Sequence, residues 1–126
     1  MVSDRLSDFV TRVRNGYRAG LETIEVPLTK TVEKISQVLA EEGYLNGVKK
    51  EGNKLVLTLK YNGREPGITG IKRVSKPGAR IYSGVKNFPK VLGGLGLNIL
   101  TTPKGILSEI KAKKLNTGGE IIAQVW

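Results

Sequence analysis

Between residues 3 and 18 the apolar positions fall at helical spacing: Leu6, Phe9, Val10, Val13 and Tyr17. At about 100° per residue they share one arc of about 100°, the width of a core-facing stripe. Ser3 is placed to cap this helix, and Asp4 suits the positive end of its dipole. Arg5 and Arg12 fall at one edge of the stripe, Arg14 and Arg18 on the other side. Each arginine fits either of two roles, a stem lying along buried surface or a cation offered to a partner.

Ile24-Glu25-Val26 predicts a short strand stopped by Pro27, and Thr29 or Thr31 then caps a second helix running to Glu42. Its apolar face is Val32, Ile35, Val38 and Leu39, and Gly43 suits its C-terminal end. Tyr44 to Val48 and Leu55 to Tyr61 predict a hairpin around Glu51-Gly52-Asn53. Two helices on one face of a small sheet would close a core. The run Asn62-Gly63-Arg64-Glu65-Pro66-Gly67 is loop-forming.

Beyond it the pattern changes. Ile68 to Val74 predicts a strand, Ser75-Lys76-Pro77-Gly78 a turn, and Arg80-Ile81-Tyr82 a returning strand. Residues 84–96 are rich in glycine, Leu97 to Leu100 is extended, and Thr101 to Gly105 ends it. Ile106, Leu107, Ile110 and Leu115 predict a short amphipathic helix, broken at Asn116-Thr117-Gly118-Gly119. Glu120 to Trp126 predicts a final strand with Ile121, Ala123 and Val125 on one face. The fold class is therefore α+β with two small domains. Residues 1–63 form an N-terminal helix-strand-helix-hairpin domain. Residues 64–126 form a mainly antiparallel β domain with one short helix.

Charge separates the two halves more sharply than pattern does. Residues 1–63 carry ten basic and eight acidic side chains, a net of +2; residues 64–126 carry eleven and three, a net of +8. The second half is the expected polyanion-binding half. The whole chain of 126 residues has a net charge of +10 and contains neither Cys nor His. This excludes disulfides, Cys/His zinc sites and Ser-His-Asp or Cys-His catalysis. No run approaches the about 18 apolar residues of a membrane span, and the charged first segment is no signal peptide. A soluble, intracellular protein is expected, with no membrane partner, no small-molecule substrate and no cofactor.

Gly94-Leu95-Gly96 lacks the third glycine of a dinucleotide loop, because Ile99 stands at that position. Thr102-Pro103-Lys104-Gly105 lacks the order of a phosphate-cradling P-loop. Glu109 and Glu120 are the only carboxylates after Glu65, and nothing places a nucleophile beside them. Glu109 reads as a helix-surface charge.

Three segments read instead as contact loops. Ser75, Lys76, Pro77, Gly78, Arg80 and Tyr82 combine hydroxyl, cations, a rigid turn and an aromatic. Thr101, Thr102, Lys104 and Gly105 offer hydroxyls, a cation and backbone N–H groups near a helix start. Gly118, Gly119 and Glu120 offer close backbone approach and one acceptor. Cations neutralise phosphates, whereas small polar groups and exposed backbone read base edges and 2′-hydroxyls. Tyr82 suits stacking on a base or filling a small core. Glu120 repels phosphate but accepts from a base amine, a 2′-hydroxyl or a loop N–H.

These segments carry a resemblance to the bacterial and organellar type of ribosomal protein S-eight, the eighth protein of the small ribosomal subunit. The similar stretches are Thr11-Arg12-Val13-Arg14-Asn15-Gly16, Glu41-Glu42-Gly43-Tyr44, Leu57 to Tyr61, Arg73 to Tyr82, Gly94-Leu95-Gly96, Thr101 to Gly105 and Gly118 to Ile122. Their order and spacing span essentially the whole chain. The resemblance implies a non-catalytic protein that binds an irregular helix in the central domain of small-subunit ribosomal RNA, largely through the C-terminal domain. The hydroxyl loop would meet bases near unpaired adenines. Arg12, Arg14 and Asn15 join the implied RNA contacts. Assembly of the subunit platform beside neighbouring small-subunit proteins, and repression of the protein's own messenger RNA, are implied as well. The ribosome would be the location, cytoplasmic or organellar.

The family's Ser-Thr-Ser-x-Gly loop is changed here: Thr101 keeps the first hydroxyl, while Pro103 removes a hydroxyl and an N–H. The family's Thr-Asp-Arg-Glu-Ala-Arg stretch stands as Ser108-Glu109-Ile110-Lys111-Ala112-Lys113, with lysine point charges replacing arginine forks. The competing reading is a free-standing basic DNA-binding or architectural module, which fits the charge but lacks an obvious recognition helix. An enzyme acting on nucleic acid is the third.

Overall fold

The computed structural model describes the backbone of residues 2–126 and side chains from Arg5 onward. The capping roles expected of Ser3 and Asp4 lie outside the described side chains. The chain forms two compact units, residues 1–69 and 70–126. The turn at 62–65 folds back as a small hairpin, and Gly67 N–H donates to Lys60 O at 2.7 Å.

The first unit contains α1 (Val2–Arg18), β1 (Thr23–Pro27), α2 (Lys30–Glu41), β2 (Leu45–Glu51), β3 (Lys54–Leu59), and a two-residue ribbon of β4 (Tyr61–Asn62) and β5 (Glu65–Pro66). The antiparallel sheet has the order β1-β3-β2. Every member of the α1 stripe from Leu6 to Tyr17 is buried, as are Val32, Ile35, Val38 and Leu39 of α2. Leu55, Leu57 and Leu59, the alternate residues of the central strand, are buried as well. Burial of such side chains contributes about 1.5–3 kcal/mol each before entropy is counted.

The ends of α2 obey local chemistry. Thr29, not Thr31, is the cap: its Oγ1 accepts the Val32 N–H at 3.1 Å. At the other end Tyr44 N–H donates to Leu39 O and Gly43 N–H to Ala40 O, with Gly43 at φ +84°. That pairing closes the helix through a left-handed residue, a conformation glycine adopts without a Cβ penalty.

The second unit contains β6 (Ile71–Arg73), β7 (Tyr82–Ser83), a single 3₁₀ turn (Leu92–Gly94), β8 (Leu97–Thr102), β9 (Gly105–Ser108), α3 (Glu109–Lys114) and β10 (Gly119–Val125). Its sheet runs β6-β10-β8-β9, with β7 also on β10. Three expectations change here. The strand expected over Ile68 to Val74 shortens to β6. The strand expected at Arg80 does not return onto β6; β6 and β7 pair with successive stretches of the same side of β10. Ile106 and Leu107 belong to β9 rather than to the helix, which starts only after Ser108 caps it by accepting Lys111 N–H. The stretch Thr101–Gly105 is accordingly a hairpin tip and not a helix approach.

One face of this sheet carries Leu100, Leu107 and Ile121, packed with Ala112 of α3 and the partly buried Val74 and Phe88. Below it Asn98, fully buried, donates its amide to Pro89 O at 2.7 Å and Glu109 Oε1 at 3.1 Å, and accepts from Gln124 at 2.9 Å. Glu109 also accepts the Asn98 backbone N–H at 2.8 Å. Glu109 is thus a mostly buried structural acceptor, not the helix-surface charge expected of it.

Candidate nucleic-acid interface

Strand β10 brings together residues that the sequence leaves far apart. Glu120 stands directly opposite Tyr82 on one side and Thr101 on the other, and Thr101 stands opposite Ile106. Directly opposed residues of antiparallel strands project from the same face. Tyr82, Glu120 and Thr101 therefore form one cross-strand row. Adjacent positions Ile121 and Leu100 point to the opposite face, where α3 packs. The row is turned away from the helix.

The members of the row differ in availability. Tyr82 is 68% exposed, which removes the core-filling role and leaves a ring open for stacking. The Thr101 hydroxyl has no hydrogen-bond partner among the described residues. Thr102 is different: its hydroxyl donates to Gly105 O at 2.8 Å and accepts the Lys104 N–H at 3.0 Å, bracing the hairpin tip. Glu120 has a side chain only 12% exposed and pairs with Arg80, Nη1 lying 3.2 Å from Oε2.

The 75–82 loop is a built excursion at the end of β6. Lys76 and Ala79 exchange backbone hydrogen bonds at 3.2 and 2.9 Å around Pro77 and Gly78, the latter at φ +80°. This is the dihedral pattern of a type II turn, with proline first and glycine second. Lys76, Pro77, Gly78 and Arg80 are exposed. Ser75 is not: at 5% exposure, its hydroxyl accepts Ile81 N–H at 2.9 Å and sits 3.3 Å from Ile81 O. It holds the base of the loop and presents no free hydroxyl.

Gly118 and Gly119 answer to close packing. A Cβ at Gly119 would collide with the Thr101 carbonyl, and one at Gly118 with the Ser83 carbonyl. Only glycine lets β10 enter between β7 and β8 at this level. Gly105, at φ +110°, closes the hairpin tip. Lys104 extends back from that tip to donate to Leu115 O at 2.9 Å, capping the end of α3 where a cation also suits the dipole.

In the first unit Arg12 is occupied: it pairs with Asp8 at 2.8 Å and donates to Glu25 O at 3.1 Å. Arg14 and Asn15 are exposed on α1. Among the cations of the second unit, Lys113 pairs with Glu109 and Arg73 donates to Ser75 O. Lys72, Lys76, Lys86, Lys90, Lys111 and Lys114 have no partner among the described residues. Residues 70–126 contain ten basic and two acidic side chains, so this lobe keeps a large uncompensated positive charge.

Two small α+β units, the second cationic and glycine-tight with an open polar row, define a binding protein rather than a pocket enzyme. Comparison with known proteins supplies the particular family. The family model described as ribosomal protein S8 matches residues 4–126. The chain is 46% identical to small ribosomal subunit protein uS8 of Rippkaea orientalis, covering 98% of both chains. It is 42% identical to the uS8c protein of Guillardia theta over all of both chains, and 43% identical to uS8 of Clostridium novyi over 100% and 99%. The chain belongs to the ribosomal protein S8 family, of the bacterial and organellar type. It is a non-enzymatic structural constituent of the small ribosomal subunit, with RNA binding as the family's property.

Proposed function

We propose that this protein recognises an irregular helix in the central domain of small-subunit ribosomal RNA and nucleates assembly of the subunit platform there. The observation that carries the reading is the cross-strand row of Tyr82, Glu120 and Thr101 on the cationic unit. An aromatic ring, an acceptor and a free hydroxyl in line can address an unstacked base, an exocyclic amine and a 2′-hydroxyl. A regular A-form helix hides its base edges in a deep, narrow major groove, so a bulged or distorted stem is the fitting partner. The unpartnered lysines supply sequence-independent affinity. Arg14 and Asn15 on the first unit, and Pro77 and Gly78 at the tip of the 75–82 loop, are further contacts in this reading. Neighbouring small-subunit proteins complete the assembly, and binding to the protein's own messenger RNA follows if that message carries a similar stem.

Footprinting on naked small-subunit ribosomal RNA tests this. One protected irregular stem in the central domain is expected. If about six phosphates are neutralised, log K should fall with log salt at a slope of roughly −4 to −5. Equal binding to duplex DNA and to a bulged RNA hairpin would instead favour the architectural DNA-binding alternative.

A further inference from the structure

We propose that Arg80 is a positioning residue for Glu120 rather than a phosphate contact. The inference rests on the RNA-binding reading above and assigns roles within it. Arg80 is the one basic side chain of the 75–82 loop that is already spent. Its Nη1 lies 3.2 and 3.4 Å from the two Glu120 oxygens, whereas Lys76 on the same loop is free.

Electrostatics separates the two roles. A lone cation meeting a phosphate releases a counterion and steepens the salt dependence; an internally neutralised guanidinium does not. Glu120 needs such a partner. It is the only carboxylate in its row, 12% exposed between Tyr82 and Thr101, on a unit meant to meet a polyanion. Left alone it would repel every nearby phosphate and swing toward water. Paired with a planar guanidinium, it is partly neutralised and directionally fixed. Its remaining lone pairs then face an incoming N–H or O–H donor. The chemical class recognised through Arg80 is thus a donor group of RNA, a base amine or a 2′-hydroxyl. Arg80 tunes selectivity, and the free lysines tune affinity.

The test is a double-mutant cycle read as salt titrations on a bulged stem and a scrambled stem, with Arg80→Met, Arg80→Lys, Glu120→Gln, the Arg80→Met/Glu120→Gln pair, and Lys76→Met as the comparison. Arg80→Met is expected to lower the ratio of bulged-stem to scrambled-stem affinity by about tenfold, the scale of one charge-assisted hydrogen bond. The double variant should lower it no further, and Arg80→Lys should restore part of it. The salt slope of the double variant should match the wild type, while that of Lys76→Met is shallower by about one. Melting temperatures should move little for the double variant, which leaves no charge unpaired, and the Arg80 end of the pair is itself exposed. Additive losses together with a shallower slope for the double variant would overturn the proposal and make Arg80 a phosphate contact. A wild-type protein that does not prefer the bulged stem would overturn the RNA reading itself, a failure visible before any variant is compared.

Discussion

The hydroxyl of Tyr17, near the end of the first helix, accepts the backbone N–H of Lys60 at 3.1 Å. The same hydroxyl donates to Tyr44 O at 2.9 Å, so one side chain satisfies two backbone groups at the open end of the β2–β3 pair, one just before β2 and one just after β3. Tyr17→Phe should remove both bonds and cost about 1–3 kcal/mol, read as a lower midpoint in urea at neutral pH.

That residue also sets an alkaline limit. Burial pushes the Tyr17 phenol above its ordinary value of 10.0, partly opposed by the Lys60 N–H, and desolvation raises Tyr61 likewise. The unfolded chain then loses its phenolic protons first as pH rises. Stability contributed by the neutral phenols is complete below pH 10 and declines as pH climbs from there through the raised values. Urea midpoints of the wild type measured at successive pH values should fall in this range. The Tyr17→Phe midpoints should fall less steeply, and parallel curves would remove Tyr17 as the cause.

Two adjacent threonines should behave differently. Thr101→Val removes a hydroxyl without a partner in the protein, so melting should be unchanged while discrimination between cognate and scrambled stems falls about fivefold. Thr102→Val removes the brace of the hairpin tip and should be seen first as faster amide exchange at Lys104. An unaltered specificity ratio for Thr101→Val would take Thr101 out of the recognition row.

The paired glycines give a packing test. Gly119→Ala places a methyl against the Thr101 carbonyl, and Gly118→Ala one against the Ser83 carbonyl. Each should destabilise by about 1–3 kcal/mol through overpacking. Gly84→Ala meets open space and should be near neutral. Thermal melts of the three variants side by side check the ranking.

Asn98→Ala should rank among the costliest changes in the second unit. It removes the side-chain partner of the Pro89 carbonyl and of the Gln124 amide, at about 1–3 kcal/mol for each group left unsatisfied, while Glu109 loses one donor but keeps the residue-98 backbone N–H and Lys113. Chemical denaturation should show the loss, and exchange should rise across residues 84–96, which Pro89 ties to the sheet.

How much of this was readable beforehand follows contact distance along the chain. The stripe Leu6 to Tyr17, the Thr29 cap and the Gly52 hairpin depend on residues a few positions apart, and they form as expected. The spacing of Ile106 and Leu107 with Ile110 suits a helix as well as a strand, and pairing with β8 decides for the strand. The partners of β6 and β7 lie about forty to fifty residues away, beyond any local signal. The contact loops could be marked by composition, yet their alignment into a row depends on β10 lying between β7 and β8. Nor could spacing separate Thr101 from Thr102, or show that the Ser75 hydroxyl turns inward. The burial of Glu109 follows from Asn98, a polar residue inside an apolar run, and that run offered the one visible hint.

The central place of β10 has a temporal consequence. Translation proceeds from the amino end, and β10 follows the other described strands in the chain. A nascent chain stopped short of residue 119 already contains Tyr82 and Thr101, but nothing aligns them. On the proposed RNA-binding reading, products cut short of β10 are therefore expected to be poor competitors for a chain that contains it: the row comes into being only when synthesis has passed through the strand that joins its parts.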